Sequence, residues 1–154
     1  FDPHSNDDLI TCLVLLDDVT PENGPLRVAP GSHKGPLYSL WQNGKFSGAI
    51  AAKFVDQLER DAIPQMGKAG SACIMHSRLA HASSANHSRH PRTLFIAAIA
   101  AADAIPLAPI AVPSRHAGRL LAGSEPGRIR ATNFDIEMPE VPKGASFFDQ
   151  QSSM

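Results

Sequence analysis

One stretch decides the fold of this chain: GSACIMHSRLAHASSANHSRHPRTLF, residues 70–95. An apolar run at residues 72–75 leads into a polar segment rich in turn-forming residues, and a second apolar run follows at residues 93–102. This order predicts a strand, a turn and a returning strand. If the two strands pair antiparallel, side chains on either side of the turn can point into one cavity.

Two side chains of this stretch carry distinctive chemistry. His81 lies on the way into the turn, and Arg92 stands at the start of the returning strand. Histidine is the commonest metal ligand in proteins, and the planar fork of arginine binds a carboxylate through two parallel hydrogen bonds. For this pair alone, a hairpin with solvated histidines and a surface arginine is the more frequent arrangement, because exposed polar residues are common.

The composition is that of one soluble globular domain. The chain has 154 residues, 43% of them hydrophobic and 19% charged, which is enough for a sizeable core. The net charge of −1 gives no electrostatic reason to expect nucleic acid or an anionic membrane as a partner. No apolar run approaches the length of a membrane-spanning helix. We therefore expect residues 1–154 to form a single domain without those partners.

Cys12 and Cys73 both lie in apolar runs and lack the spacing of a zinc site. They are expected to be free, buried thiols in a reducing compartment, which predicts a cytoplasmic location; a disulfide between them is the alternative. The chain begins with Phe1 and shows no signal peptide, so a preceding segment is expected to have been removed.

Short strands dominate the rest of the sequence. Residues 9–16, LITCLVLL, form a continuous apolar run that predicts a buried strand. Helical spacing occurs only at residues 51–61, and the chain carries 13 prolines and 11 glycines. The residues alone therefore predict an all-β sandwich or barrel.

Two regions stand apart from the predicted strands. Residues 35–67 form an insertion with several aromatic side chains, which is expected either to be a wall of a substrate pocket or merely to hold a long loop together. Beyond residue 102 the chain is rich in proline and predicts irregular structure. There we expect a short helical turn around residues 119–121, an outer strand at residues 128–138 and a frayed polar tail at residues 144–154.

Three separate motifs occur in order along the chain. They are GPLRVAPGSHK at residues 24–34, GKAGS at residues 67–71 and His81-x-Ser-x-x-Asn-x-Ser-x-x-x-Arg92. Over about residues 4–105 this set resembles the phytanoyl-CoA dioxygenase family of Fe(II)- and 2-oxoglutarate-dependent oxygenases. The resemblance implies a double-stranded β-helix, the jelly roll of cupin-like proteins. It also implies hydroxylation of a small organic substrate with O₂, together with oxidative decarboxylation of 2-oxoglutarate to succinate and CO₂.

The resemblance further implies roles for particular side chains. His81 would bind the iron, and Arg92 would grip the far carboxylate of 2-oxoglutarate, unless it forms a salt bridge to an acidic residue. Ser83 would hydrogen-bond the cosubstrate, although a serine that stabilises the turn is nearly as frequent. Thr11 would face the same cavity if Cys12 faces the opposite side, as strand alternation requires.

The remaining iron ligands of the family, a His-x-Asp pair, have no match in this sequence. His4-Ser5-Asn6 has an amide where the carboxylate would stand. The family pattern places the pair a few residues before Phe1, so we expect the chain to lack the N-terminal part of its jelly roll. A chain with one of the three ligands is expected to fold but to be inactive.

Two other functions stay open. One is a non-haem iron halogenase of the same superfamily, in which a small residue replaces the carboxylate ligand and chloride binds in its place. The other is a jelly-roll binding module or fragment without catalysis. The residues expected before Phe1 would decide between them. The chain has no basic cluster that would favour a coenzyme A phosphate as part of the substrate, and it leaves the oligomeric state open.

Overall fold

The structure, a computed structural model, describes residues 3–109, 114–133 and 135–140. Within these ranges the chain forms eight strands, one α-helix and two single-turn 3-10 helices. In chain order the elements are β1 (Leu9–Leu15), β2 (Leu26–Val28), β3 (Trp41–Gln42), β4 (Lys45–Phe46), α1 (Ala52–Arg60), β5 (Ile63–Gln65), β6 (Ala72–His76), β7 (His81–Ser83) and β8 (Leu94–Ala100), with the 3-10 helices at Pro21–Asn23 and Ser32–Lys34.

Six of the strands form two antiparallel sheets of three strands each. The first sheet has the order β6-β1-β8, and the second has the order β5-β2-β7. In the second sheet, Leu26 of β2 lies opposite Gln65 on one side and Ser83 on the other. Directly opposed residues of an antiparallel pair share a face, so these registers fix which side chains point inward.

The two sheets pack face to face around a shared apolar core. Leu13 of β1, Val28 of β2 and Met75 of β6 form its buried centre, and Leu26 and Leu94 pack against them. Burial of each large apolar side chain contributes about 1.5–3 kcal/mol to stability. Because both sheets supply core residues, they form one sandwich.

The chain divides into two compact units. The first, called here the sandwich unit, comprises Leu9–Pro36 and Val55–Ala100 and contains both three-stranded sheets. The second unit comprises Phe1–Asp8, Leu37–Phe54 and Ala101–Met154. Its described part contains the hairpin of β3 and β4, in which the rings of Trp41 and Phe46 meet edge-on with their centroids 5.5 Å apart.

The stretch at residues 70–95 forms three strands instead of the predicted hairpin. β6 and β8 flank β1 in one sheet, while β7 pairs with β2 in the other. A turn closed by the hydrogen bond from Leu79 N–H to His76 O (2.9 Å) carries the chain from the first sheet to the second. The prediction of a single hairpin was wrong because both partner strands, β1 and β2, lie far away in the sequence.

The predicted strand at residues 9–16 is present as β1, but only one of its faces packs on the second sheet. Ile10 and Leu16 are therefore exposed rather than buried. The helix predicted at residues 51–61 is confirmed as α1. Within the described ranges no helix has the length and the apolar character that crossing a bilayer requires.

Two elements predicted in the C-terminal region are absent from the described residues. Neither the helical turn around residues 119–121 nor the strand at residues 128–138 forms there. Isolated backbone bonds hold this region instead, such as that from Arg130 N–H to Asp103 O (3.1 Å). The alternating pattern at residues 128–138 thus has no strand among the described residues of that range. The predicted polar tail at residues 144–154 lies outside the described residues.

Candidate active site

A small cavity lies between the two sheets of the sandwich unit. It has room for about one water molecule. Among the described residues that line it, Arg92 is the one charged residue. The lining residues are Leu13, Leu15, Val19, Leu26, Gln65, Cys73, Arg92 and Leu94. A single cation in a mostly apolar lining favours an anionic group as its partner.

Arg92 donates from Nη2 to Ser83 Oγ at 3.2 Å. In the part of the chain that the structure describes, no carboxylate lies within salt-bridge distance of its guanidinium. Ser83 is exposed and Arg92 is half-buried. Most of the five N–H donors of the guanidinium are therefore not committed to another side chain.

The chain on both sides of Arg92 is firmly anchored. The next residue, Thr93, donates its N–H to Asp17 Oδ2 (2.8 Å), and hydrogen bonding from the Thr93 side chain and backbone holds the pKa of Asp17 below its ordinary value. On the preceding side, Pro91 O accepts from the amide of Asn23 (3.4 Å), which is 1% exposed. The backbone that carries the Arg92 fork is thereby positioned before any ligand binds.

His81 lies two residues before Ser83 on β7. It pairs with Val28, a core residue, so its side chain belongs to the inward face of the second sheet. The imidazole is exposed, and its Nδ1 lies 2.7 Å from Leu79 O. With Nδ1–H donated to that carbonyl, Nε2 keeps a free lone pair, which is the usual arrangement of a metal-binding histidine.

Iron of the kind expected from the sequence needs two histidines and a carboxylate, and the described residues supply only His81. No group of three or more His, Cys, Asp or Glu side chains suited to a metal occurs among them. His81 fits as one ligand in orientation and exposure. The described residues do not complete the set.

Thr11 also belongs to the inward face, because it lies opposite Met75 of the core. Its Oγ1 is 3.3 Å from Ser77 Oγ, and it is not among the residues that line the cavity. The structure therefore brings Arg92 and Ser83 into contact and places His81 nearby on the same strand as Ser83. It leaves Thr11 bonded to a different hydroxyl.

Gln65 and Cys73 line the cavity but were not singled out as site residues from the sequence. The Cys73 thiol lies 3.8 Å from Gln65 Oε1, and burial raises the pKa of this thiol, which keeps it protonated. Both Cys12 and Cys73 are free, as predicted, although each is half-buried. Cys73 lies opposite Leu13 and shares its inward face, a placement that depends on the pairing of β6 with the distant strand β1.

A second polar cluster lies in the second unit. The Arg130 guanidinium binds Asp103 through Nη2–Oδ1 (2.9 Å) and Nε–Oδ2 (3.0 Å), and it also pairs with Asp8. Asn6, which is 0% exposed, donates to Arg130 O (3.0 Å) and accepts from Asp8 N–H (3.1 Å). Arg130 holds the pKa of Asp103 below its ordinary value. The amide in His4-Ser5-Asn6 is thus a structural group.

The chain is similar to known proteins in sequence and in fold. The model of the phytanoyl-CoA dioxygenase (PhyH) family matches residues 1–94. A probable alpha-ketoglutarate-dependent hypophosphite dioxygenase of Stutzerimonas stutzeri is 36% identical over 113 residues, which cover 70% of this chain and 39% of the relative. A methylphosphonate hydroxylase of Gimesia maris is 34% identical over 88 residues, or 56% of this chain and 32% of the relative. The chain thus spans a third to two fifths of the length of these relatives.

The fold has matches among solved structures. The crystal structure of EctD from S. alaskensis with bound Fe superposes with a TM-score of 0.52 and 25% sequence identity, covering 63% of this chain and 33% of that chain. This likeness confirms the jelly roll of the cupin-like oxygenases, as predicted from the sequence. The family match covers β1 to β7, His81 and Arg92. The chain belongs to the phytanoyl-CoA dioxygenase family.

Proposed function

We propose that this chain works as an Fe(II)- and 2-oxoglutarate-dependent oxygenase that hydroxylates a small organic substrate. Succinate and CO₂ are then the products of the cosubstrate. The observation that carries the proposal is the family match over residues 1–94, together with a relative named as alpha-ketoglutarate-dependent. The lone cation of the inter-sheet cavity supports it, since this chemistry needs a site for the far carboxylate of 2-oxoglutarate.

Arg92 is proposed to bind that carboxylate. Its fork can donate two parallel hydrogen bonds, and the apolar residues around it exclude the water that would otherwise weaken a charged pair. Ser83 already contacts the guanidinium and would keep it oriented or bond the ligand directly. Thr11 is proposed to contribute a further hydroxyl from the inward face of the first sheet, after its contact with Ser77 is broken.

His81 is proposed as an iron ligand through Nε2, with its ring held by Leu79 O. The other two ligands would be the His-x-Asp pair that the family pattern places ahead of Phe1. When bound, the iron would supply the chemistry by which O₂ oxidises 2-oxoglutarate and the substrate. The residues of this chain would position the ring of His81, hold the cosubstrate at Arg92 and keep water from its far end.

The proposal also covers the substrate pocket, the cellular location and the kind of partner. Residues 35–67 are proposed to form part of a substrate-pocket wall within a single oxygenase domain, 1–154. The free thiols support a reducing, cytoplasmic location, and a net charge of −1 supports a small-molecule substrate over nucleic acid or an anionic membrane.

The test is succinate release in the presence of Fe(II), ascorbate and 2-oxoglutarate, in a polypeptide that carries the natural segment expected ahead of Phe1. The substrate panel includes hypophosphite and methylphosphonate, because the two relatives are named for them. We expect His81→Ala to abolish succinate release and His87→Ala, an exposed histidine of the next loop, to leave it unchanged.

Three outcomes would contradict the proposal. Iron binding without consumption of 2-oxoglutarate would favour a non-catalytic binding module. Chlorinated product that requires chloride would favour the halogenase. Undiminished succinate release by His81→Ala would remove that residue from the metal site.

A further inference from the structure

We infer that Ser32 is a positioning residue for His81, because its hydroxyl fixes the one peptide plane that holds the imidazole ring in its tautomer and direction. This role rests on the proposed function, since it takes His81 as an iron ligand. It also explains part of the motif at residues 24–34, which the proposed function leaves without a role.

The peptide group between Leu79 and Ala80 connects Ser32 to His81. Its N–H, from Ala80, donates to Ser32 Oγ at 2.9 Å, and its carbonyl oxygen, Leu79 O, lies 2.7 Å from His81 Nδ1. A carbonyl oxygen only accepts hydrogen bonds, so Nδ1 carries the proton. Because this peptide is trans and planar, its N–H and C=O point in opposite directions. The bond to Ser32 therefore sets the direction in which Leu79 O points.

The peptide group that follows Ala80 is also held by the chain around Ser32. Ala29 N–H donates to Ala80 O at 2.9 Å, which extends the pairing of Val28 with His81 by one residue. Ala80 is buried, so its N–H cannot exchange the Ser32 hydroxyl for water at no cost. Without that hydroxyl, the peptide plane before His81 is expected to rotate towards another acceptor.

Contacts beside Ser32 keep its hydroxyl in place. The ring of His33 stacks on the ring of His76, with the centroids 5.3 Å apart. Gly35 O accepts a hydrogen bond of 2.7 Å from Arg78 Nη2. His76 and Arg78 belong to the crossing between the two sheets, which leads directly into β7. The 3-10 turn that begins at Ser32 is thus docked on the segment that it positions.

The tautomer of His81 decides whether the ring can bind a metal. With Nδ1 protonated and bonded to Leu79 O, Nε2 keeps the lone pair that a metal needs. An unconstrained imidazole in water prefers the opposite form, with the proton on Nε2. The protein must therefore supply the bias, and Ser32 supplies it through the peptide group. Partners that orient a ligating histidine typically change metal affinity about 10–100-fold.

The first test measures the tautomer of His81 in the 154-residue chain without metal. Side-chain ¹⁵N chemical shifts are recorded at about pH 8.5, well above the ordinary histidine pKa of about 6.5. We expect the Nδ1–H form to predominate in the parent chain. Ser32→Ala should lower the ratio of Nδ1–H to Nε2–H about threefold or more, the size of effect that one hydrogen bond has. Ser32→Thr keeps the hydroxyl and should keep the parent ratio.

Ser39→Ala is the matched control for this measurement. It also removes a hydroxyl that accepts a backbone N–H, in this case from Trp41 at 3.1 Å in the second unit. It should leave the tautomer ratio of His81 unchanged.

The second test measures the dissociation constant of Fe(II) without O₂, in the polypeptide that carries the natural segment expected ahead of Phe1. Ser32→Ala should raise this constant about tenfold, because the ring of His81 then spends less time in the metal-binding form. Ser32→Thr and Ser39→Ala should leave it unchanged.

The outcomes separate this role from the proposed function. An unchanged tautomer ratio or Fe(II) constant in Ser32→Ala, or an equal fall of the ratio in Ser32→Thr, would overturn the inference and leave the proposed function intact. Undiminished succinate release by His81→Ala would remove the ligand role, and the inference would fail with it. If Ser32→Ala does not fold, Ser32→Cys decides through the same ratio, since a thiol keeps nearly the same volume but is a weak acceptor.

Discussion

Arg92 lies at an apolar cavity of the sandwich unit, whereas Arg130 lies between two carboxylates of the second unit. The Arg92 guanidinium contacts a single serine hydroxyl. The Arg130 guanidinium is bonded to both oxygens of Asp103 and paired with Asp8, and its pKa is raised by these contacts. The two residues are the same chemically, and their surroundings decide what each can do.

The difference separates a structural cation from one that can bind a ligand. The donors of Arg130 are satisfied within the fold, and a buried amide, Asn6, fixes the same cluster from the other side. The donors of Arg92 are mostly uncommitted, while its backbone is anchored through Asp17 and Asn23. A rigid backbone under an uncommitted guanidinium is the arrangement that ligand binding requires.

The largest expected effect is on the structural cluster. Asn6→Ala removes the amide that bonds Asp103 O, Arg130 O and Asp8 N–H. Asp103 O keeps its bond from Arg130 N–H, whereas Arg130 O and Asp8 N–H lose the Asn6 partner. We expect a loss of about 2–4 kcal/mol in the free energy of unfolding, measured by urea denaturation. Asn133→Ala, at an exposed position, is the matched control and should change stability by less than about 0.5 kcal/mol. Equal stability of the two variants would show that the cluster does not hold the fold.

A paired substitution sharpens the comparison of the two arginines. Arg92→Lys should weaken 2-oxoglutarate binding about tenfold or more, because lysine supplies the charge without the fork, and it should leave the melting temperature nearly unchanged. Arg130→Lys should do the reverse, lowering the melting temperature without changing binding. Calorimetric titration and thermal melts of both variants check this. If both variants lost 2-oxoglutarate affinity and melting temperature to the same extent, the distinction between a ligand-binding and a structural arginine would be wrong.

A smaller effect is expected from acid. The pKa values of Asp17, Asp18 and Asp103 are lowered, chiefly by hydrogen bonds to Thr93, Lys68 and Arg130 respectively. Groups with a depressed pKa stabilise the fold above their ordinary pKa of about 4, and this contribution is lost as the pH falls through the lower folded value. The melting temperature should therefore be flat from about pH 7 to pH 5 and should fall below about pH 4.

Asp103→Asn supplies the control for the acid experiment. It removes one of the three titrating groups, so its melting temperature should start lower at neutral pH and fall less steeply in acid. A variant profile that runs parallel to the parent profile would show that Asp103 does not contribute to the acid sensitivity.

Local features of this fold could be predicted from the sequence, and non-local ones could not. The strand at residues 9–16, helix α1 and the motif from His81 to Arg92 were found because each signal is contained in one short window. The crossing of residues 70–95 between two sheets was missed because it depends on where β1 and β2 pair. The alternating residues 128–138 predicted a strand, but single bonds from Arg130 and Thr132 hold them to other loops.

The candidate site likewise contains residues with a local sequence signal and residues without one. One motif contains Arg92, Ser83 and His81, so the sequence could predict all three as site residues. Gln65 comes from a three-residue strand, Ile63–Gln65, that has no alternating pattern and was assigned to an insertion. Only the pairing of that strand with β2 brings Gln65 to the cavity. Residues that reach a site through sheet register leave no local signal.

The most direct test of the account is the arginine side-chain NMR spectrum of the chain during titration with 2-oxoglutarate. The Nε–H signals of Arg92 and Arg130 are assigned through the Arg92→Lys and Arg130→Lys variants. We predict that the Arg92 signal shifts with a saturable midpoint, because its donors turn to the ligand carboxylate, while the Arg130 signal stays in place. An Arg92 signal that does not move at ligand concentrations saturating other signals, or an Arg130 signal that moves with the same midpoint, would contradict it.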